Sequence, residues 1–488
     1  MSNLQSSSLP SISRQAVRGS LWSYLSFFLG KLLNFLTTII LARLLVPNEF
    51  GLVALCTTAI QYLDILNTSG IDDALIARRD KVEEASNAAF VANVMLGIFT
   101  FTLAWFSAPF VASYFKSPGV VDLFRLLAIS LPISGLRLVP DALLQRELQF
   151  RKKMIPDISR NISKGVVSMI LAYLGYGPWS LVWGVLVGEF TSLVLSWWLA
   201  KWKPALKFDR QASVEVAIYG AHIIVVSVAG IILVNVDYLI VGRIFGTLAL
   251  GLYTMAYRVP ELIIRGINHV VAKVSLPILS QMQSDWDALR SVYFGYIRYI
   301  SIFTMAVGFG LALTSSYFIE TFFGMEWSGS IVPMSLIAVA LSISSIGYVP
   351  GVLYKAINRP DILNRVALIK IPFIIVILLI GSRWGINGVA AGQIVFAIIS
   401  MLIDSILVNR VIRFSLAEMG RSVAPALFAS SVMTGVVWLG ESTLSLNGWL
   451  GLFVIALMGA TAYLLALALF SREVVIQAKK TLQQAFSK

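Results

Sequence analysis

Cationic side chains stand inside apolar stretches of this chain that are long enough to cross a lipid bilayer. Lys31 lies midway along Leu21–Leu45 with Asn34 on the same helical face, and Lys370 lies inside Ile362–Gly381. Arg258, Arg265 and Lys273 share a further segment with Glu261 and His269. At about 100° per residue these five fall within a stripe of about 120°, a lining face rather than a scatter. A cation at the bilayer centre costs roughly 2.5–3.5 kcal/mol on insertion scales, so such residues face a cavity or a partner. Several of them in one chain imply a polar interior that receives something anionic. Glu261 stands three residues after Arg258 and four before Arg265, so it can neutralise one of them locally, and Arg265 is then the better ligand. Pro260 frees a carbonyl beside the stripe and is a candidate bend.

The remaining intramembrane cations have simpler readings. Arg125, Arg160 and Lys164 lie near enough to span ends to snorkel, as does Lys273, and Arg137 has no clear placement. Among the carboxylates, Asp64, Glu189, Asp237 and Glu261 lie within spans. Asp237, beside Asn235, and Asp64 are candidates for ion coupling, because burial and protonation change the charge of such groups. A salt bridge is the equal alternative for Asp237, and Lys31 has its own alternative in pairing with Asp237 or Glu261.

The elements that must hold these residues follow from composition. Of 488 residues 58% are hydrophobic and only 13% charged, against about 25% charged in soluble domains; mean hydropathy is +0.82. The chain is an integral membrane protein, and its long apolar runs call for helices rather than alternating barrel strands. The polar start, Ser2–Ser13, leads straight into the first span without the features of a removable signal. The single cysteine, Cys56, excludes an intramolecular disulfide, and with only His222 and His269 no metal site is expected. Nor does any pattern call for a cofactor. The net charge of +13 is a topology signal here, not a nucleic-acid signal.

Fourteen spans are expected, at 20–42, 50–69, 88–111, 122–139, 155–174, 179–200, 217–241, 250–276, 292–314, 330–350, 362–381, 385–407, 422–440 and 447–470. With that count one set of loops is basic, from Arg14 and Arg18 through Lys201, Lys203 and Lys207 to Arg472 and Lys488. The opposite loops hold only Arg43, Lys116, Arg243 and Arg383. Positive loops stay in the cytoplasm, so both termini are placed there.

The chain also repeats itself. Leu-Ala-Arg-Leu-Leu at 41–45 precedes Phe50-Gly51-Leu52, and Val-Gly-Arg-Ile-Phe at 241–245 precedes Leu250-Gly251-Leu252, a constant offset of 200 positions. Val139-Pro140 with Leu143 matches Val349-Pro350 with Leu353, and Gly177 echoes Gly385. The expected organisation is an N-terminal segment 1–17, a lobe 18–200, a linker 201–216, a second lobe 217–407, an appended helix pair 408–470 and a tail 471–488. Six spans per repeat is even, so the lobes are related by an axis along the membrane normal, as in transporters whose halves rock about a substrate.

Leu41–Leu52, Gln145-Arg-Glu-Leu-Gln-Phe150, Phe323-Gly-Met-Glu-Trp327 with Pro333, and Asn358-Arg-Pro-Asp361 resemble the Wzx-type polysaccharide-lipid flippases of the multidrug/oligosaccharidyl-lipid/polysaccharide superfamily. Within it the chain is most similar to the colanic acid and exopolysaccharide exporters. The resemblance implies a MATE-like all-α membrane fold of fourteen helices in two six-helix lobes. It implies a cargo of oligosaccharide repeat units on undecaprenyl diphosphate, moved from the cytoplasmic to the periplasmic leaflet of a bacterial inner membrane. Membrane lipid is a partner, with polysaccharide polymerase and chain-length machinery as further ones; no nucleic acid is expected.

Such a cargo carries two negative charges that must exchange hydration for cations and donors. Lys31 is then the leading diphosphate contact, with Arg265, Arg258 and Lys370, while Asn34, Glu261, His269 and Tyr257 line the polar cavity. Trp22, Tyr24, Tyr253 and Tyr257 are placed to stack on sugar rings; Trp179, Trp202 and Trp384 read as interfacial anchors. A cation-coupled multidrug exporter of the same fold is the nearest alternative, disfavoured by the excess of cations. A membrane polymerase or ligase needs larger outer loops than these, and a non-transporting scaffold has no use for charged spans.

Overall fold

The computed structural model describes residues 9–67, 75, 81–205, 210–444 and 448–470; the expected tail 471–488, residues 1–8 and residues 206–209 of the basic linker lie outside them. Side chains of 9–21, of Tyr24 and of 210–226, which include His222, also lie outside the description. Among the described residues the regular structure is helical, without strands. The long helices are α1 (Leu9–Leu44), α2 (Pro47–Asn67), α3 (Val82–Tyr114), α4 (Val120–Ala128), α5 (Ser130–Arg146), α6 (Phe150–Tyr173), α7 (Pro178–Ala200) and α8 (Arg210–Gln281). They continue with α9 (Trp286–Leu313), α10 (Ile331–Ile346), α11 (Tyr348–Ala356), α12 (Pro360–Gly381), α13 (Gly385–Ile412), α14 (Leu416–Thr443) and α15 (Gly448–Phe470).

Eleven helical stretches among the described residues are long and apolar enough to cross a membrane. Two of them, Ser227–Gln281 and Asp361–Ile412, run 55 and 52 residues, over twice the ~20 that one crossing needs. Each is interrupted by a glycine with positive φ, Gly246 at 79° in the first and Gly385 at 72° in the second, a conformation open to glycine at little cost. α6 falls outside the eleven: Arg151, Lys152, Lys153, Asp157, Arg160 and Lys164 make its first fifteen residues strongly charged. The expected spans at 122–139 and 330–350 each consist of two helices, α4 with α5 and α10 with α11. The bend anticipated at Pro260 is not where α8 breaks; the residue with non-helical angles is Gly246.

The chain forms two compact units, Met1–Gly251 and Leu252–Lys488, so the boundary falls inside α8 just past its kink and the basic stretch 201–216 belongs to the first unit. In the first unit α6 packs along α7 and α1, and α3 along α5. Small residues permit these approaches: a Cβ on Gly30 of α1 would fall 2.9 Å from Asn161 Nδ2, and one on Gly165 of α6 would fall 2.5 Å from Thr37 Oγ1. Phe90 meets Trp197 and Trp202 edge-on, with centroids 5.6 Å away in both pairs, so Trp202 belongs to this packed cluster.

In the second unit Leu289, Tyr293, Ile297 and Ile300 of α9 form one core with Val408 of α13, Ala426 and Val437 of α14, and Ile455 and Tyr463 of α15. The Tyr463 hydroxyl donates to the Ile302 carbonyl at 2.8 Å, which satisfies a polar group in an apolar layer. α14 begins with a capping box, Ser415 with Glu418, and Glu418 also pairs with Arg290 of α9. The appended helix pair is thus an integral part of this core.

Candidate functional site

The functional side chains divide by what their neighbours do to their charge. Lys31 projects from α1 as an exposed residue, its Nζ 5.8 Å from the centroid of the Phe27 ring one turn earlier. A cation over an aromatic face is weakly held, and among the described residues Lys31 makes no ion pair. Asn34, one turn on, is half-buried, and its carbonyl accepts from Thr38 Oγ1 at 2.7 Å. The packing of Gly30 and Thr37 on α6 fixes the rotation of α1 that leaves Lys31 outward.

The α8 stripe resolves differently from its sequence reading. Glu261 accepts from Arg265 at 2.9 Å. An acid four residues before a base is the favoured helical order. Arg265 is therefore the arginine that Glu261 neutralises, one of the two pairings the sequence leaves open, and among the described residues Arg258 makes no ion pair. Arg258 is half-buried, and its Nε has no hydrogen-bond partner among the described residues. Two more polar atoms on the same helix are buried without partners, Thr254 Oγ1 and Asn268 Oδ1. His269 is half-buried and Lys273 exposed. Tyr257, expected to line the cavity, is 6% exposed and lies edge-on to fully buried Tyr253 at 5.4 Å between centroids. Both rings belong to packed interior rather than to a presented face.

Lys370 is also engaged. Its Nζ lies 2.7 Å from each carboxylate oxygen of Asp404 on the neighbouring helix α13. With side chains 13% and 5% exposed, this is a buried ion pair, which removes Lys370 from the free cations. Asp404 was absent from the sequence reading altogether. Gly347, between α10 and α11, makes room for it: a Cβ there would fall 2.9 Å from Asp404 Oδ2.

The first unit holds a larger charged network. Arg137 of α5 lies 2.5 Å from Asp141 Oδ2 and 3.5 Å from Glu189 Oε2, and Arg160 of α6 lies 3.1 Å from Glu189 Oε1. Ser196 Oγ donates to Asp141 Oδ1 at 2.6 Å. α5, α6 and α7 are thereby tied through one buried cluster, and Arg160 pairs instead of snorkelling. Arg125 stacks on Trp105 at 5.1 Å and donates to its carbonyl. Of the coupling candidates, Asp64 accepts from Asn67 Nδ2 at 3.3 Å, while Asp237 is 1% exposed and accepts from the Tyr238 amide at 2.9 Å. Neighbouring Asn235 donates to Gln61.

The second unit also contains an apolar cavity of about 950 Å³ between α9, α14 and α15, lined by Phe303, Val307, Met433, Val437, Gly459 and Tyr463 among others. Its walls suit hydrocarbon, not a sugar or a phosphate.

Comparison with known proteins bears on what this arrangement serves. Residues 40–333 match the model of a family described as polysaccharide biosynthesis protein. The chain is 24% identical to the teichuronic acid biosynthesis protein TuaB of Bacillus subtilis (strain 168), over 94% of this chain and 96% of that one. It is likewise 24% identical to the succinoglycan biosynthesis transport protein ExoT of Rhizobium meliloti (strain 1021), over 66% and 65% of the two chains. Among solved structures, the lipid II flippase MurJ in an inward closed conformation superposes with a TM-score of 0.77 at 16% identity, covering 94% of this chain and all of that one.

Proposed function

Starting from a chain that belongs to the polysaccharide biosynthesis protein family, we propose that it is a flippase for oligosaccharide repeat units linked to undecaprenyl diphosphate. It carries them from the cytoplasmic to the periplasmic leaflet of a bacterial inner membrane, by alternating access, for exopolysaccharide or O-antigen synthesis. One observation carries the reading beyond the family: Lys31, with no ion-pair partner among the described residues, and Arg258, with an unbonded Nε, stand in apolar spans, whereas Arg265 and Lys370 are paired with carboxylates. Such groups suit a ligand that brings its own negative charge. The relatives agree with export, ExoT being a transport protein in succinoglycan biosynthesis, and the fold is shared with a lipid II flippase.

In this reading Lys31 and Arg258 are each candidate contacts for the diphosphate, Asn34 and His269 are each candidate hydrogen-bonding groups, and the Glu261–Arg265 pair sets the local charge of the α8 stripe. The apolar cavity beside α14 and α15 takes the prenyl tail, so the tail stays in hydrocarbon while the head crosses. No bond is made or broken; the protein is a transporter, not an enzyme. Asp237 and Asp64 are the carboxylates through which an ion gradient acts. Both termini face the cytoplasm, the lobes 18–200 and 217–407 rock against each other, and polymerase and chain-length proteins collect the product outside.

Lipid extraction from a strain lacking the gene tests the reading. The lipid-linked repeat unit accumulates on the cytoplasmic leaflet, and the wild-type chain, but not Lys31→Ala/Arg258→Ala, releases it at equal protein levels. Accumulation of short polymer, or of repeat units on the outer leaflet, sinks it.

A further inference from the structure

Two turns of the second unit carry acid where the rest of the chain carries base. From Thr314 to Ile331, and again from Gly440 to Leu450, the sequence holds Glu320, Glu326 and Glu441 and no lysine or arginine, in a chain of net charge +13. All three carboxylates are exposed. With both termini in the cytoplasm, these turns lie on the periplasmic side. A phosphate is repelled there, so the partner that suits them is uncharged or cationic.

Four aromatic rings stand among the acids. Phe318 and Phe322 lie 4.5 Å apart between centroids with planes 30° apart, and Phe322 meets Trp449 of α15 at 4.8 Å and 74°. Trp449 is 64% exposed, and an edge-on contact covers at most one face of its indole. Tyr317, next to Phe318, donates its hydroxyl to the Glu441 carboxylate in the last turn of α14. Glu320 lies near enough to act on the same hydroxyl.

The fold holds this ledge in place before anything binds. Ile319–Phe323 form a single π-helical turn, closed by the Gly324 amide donating to the Ile319 carbonyl at 2.9 Å. Turns of this kind recur at functional sites. Gly324, at φ 105°, ends it, and the next turn is pinned by fully buried Trp327. Ser330 Oγ adds a bond to the Leu252 carbonyl at 2.8 Å. Such preorganisation lowers the cost of binding.

Aromatic residues at a membrane interface also serve as anchors, but an anchor has no use for three glutamates facing phosphate-bearing lipid. The combination suits a saccharide. A pyranose has a flat face of C–H groups and a rim of hydroxyls. Ring faces take the first by dispersion and weak C–H contacts, and carboxylates accept strong hydrogen bonds from the second.

We propose that Trp449, Phe322, Tyr317 and Glu441 form a saccharide subsite on the periplasmic side of the second unit, which holds the sugar head of the cargo once it has crossed. The inference rests on the transport reading for its topology and cargo, and calls on neither Lys31 nor Arg258.

The probe is the free oligosaccharide released by mild acid from the host's own lipid-linked repeat units, added to the full chain in detergent. Saturation-transfer NMR reads its binding. Trp449→Ala and Glu441→Gln each weaken it about tenfold, while Trp449→Phe, which keeps a ring, retains most of it. Should Trp449→Ala fail to fold, Glu441→Gln and Trp449→Phe carry the test, thermal unfolding being the control. Wild-type affinity in Trp449→Ala or Glu441→Gln overturns the proposal. So does displacement of the sugar by glycerophosphoethanolamine at equal concentration, which makes the ledge a lipid ammonium site. Trp449-dependent sugar binding in a chain that delivers no lipid-linked repeat units even as wild type overturns the transport reading and leaves the subsite standing.

Discussion

Lys370 and Asp404 face each other from successive helices, with the lysine ammonium 2.7 Å from both carboxylate oxygens and the aspartate almost wholly buried. Removing two charges from water is expensive, and the pair recovers the cost only while both partners remain. Lys370→Ala, which strands a buried carboxylate, is expected to destabilise the protein by about 3–5 kcal/mol. Lys370→Met/Asp404→Leu should fold nearly as well as wild type. Thermal unfolding in detergent measures both. If the double variant also flips cargo normally, Lys370 is a structural residue; loss of flipping in a well-folded double variant returns it to the substrate site.

Arg258 and Arg265 of α8 should separate in function because, of the two, Arg265 alone has an ion pair among the described residues. Arg258→Ala removes a cation that makes no ion pair among the described residues and is expected to lower delivery of lipid-linked repeat units by about tenfold or more, the scale of one charge-assisted hydrogen bond of ~1.5–3 kcal/mol. Arg265→Ala, which deletes one half of a local pair, should cost less. Glu261→Gln frees Arg265 and is expected to raise the affinity of the site for the diphosphate and slow release. Equal losses from Arg258→Ala and Arg265→Ala, at matched protein levels, count against this division.

The extent to which these features could be read from the sequence follows the range of the interaction. Helical spans were legible from hydropathy, because an apolar run of bilayer length admits few other structures. The Glu261–Arg265 pair was legible too, since the i,i+4 order with the acid first favours it; the sequence leaves both pairings open and makes Arg265 the better ligand candidate. Lys370–Asp404 was not legible: the partners stand on different helices 34 positions apart, and nothing in either local pattern names the other. Arg160 was read as snorkelling for the same reason, its carboxylate on Glu189 arriving from the next helix. Tyr257 failed differently. Its position on the polar segment said nothing of rotation about the helix axis, which turns Tyr257 into the interior at 6% exposure.

Lys31 offers a charge test that does not depend on a partner. Lys31→Arg keeps the cation and is expected to retain most flipping, whereas Lys31→Ala loses several-fold and Lys31→Glu abolishes it, because a carboxylate repels the diphosphate. Folding should be unaffected in all three, since Lys31 is exposed and makes no ion pair among the described residues. Outer-leaflet repeat units, measured against surface expression, distinguish charge from packing: equal behaviour of Lys31→Arg and Lys31→Glu would remove phosphate contact from this residue.

Arg137 is the keystone of the first unit's network, and its loss should act on stability before transport. The side chain is 13% exposed, 2.5 Å from Asp141 and 3.5 Å from Glu189. Arg137→Ala leaves two neighbouring carboxylates without their shared cation, and the expected loss is about 3–5 kcal/mol. Arg137→Lys restores charge but not the planar fork that reaches both acids, so it should recover only part. Asp141→Asn keeps the acceptor for Ser196, which donates at 2.6 Å, and should be milder than Arg137→Ala. Pairing Arg137→Met with Asp141→Leu and Glu189→Leu removes three of the four charges and leaves only Arg160, whose side chain is 37% exposed and can be solvated, so stability should return toward wild type. If this triple variant is stable yet flips nothing, the network handles cargo or a coupling ion as well as holding α5, α6 and α7 together; if it is stable and active, the cluster is packing written in charges.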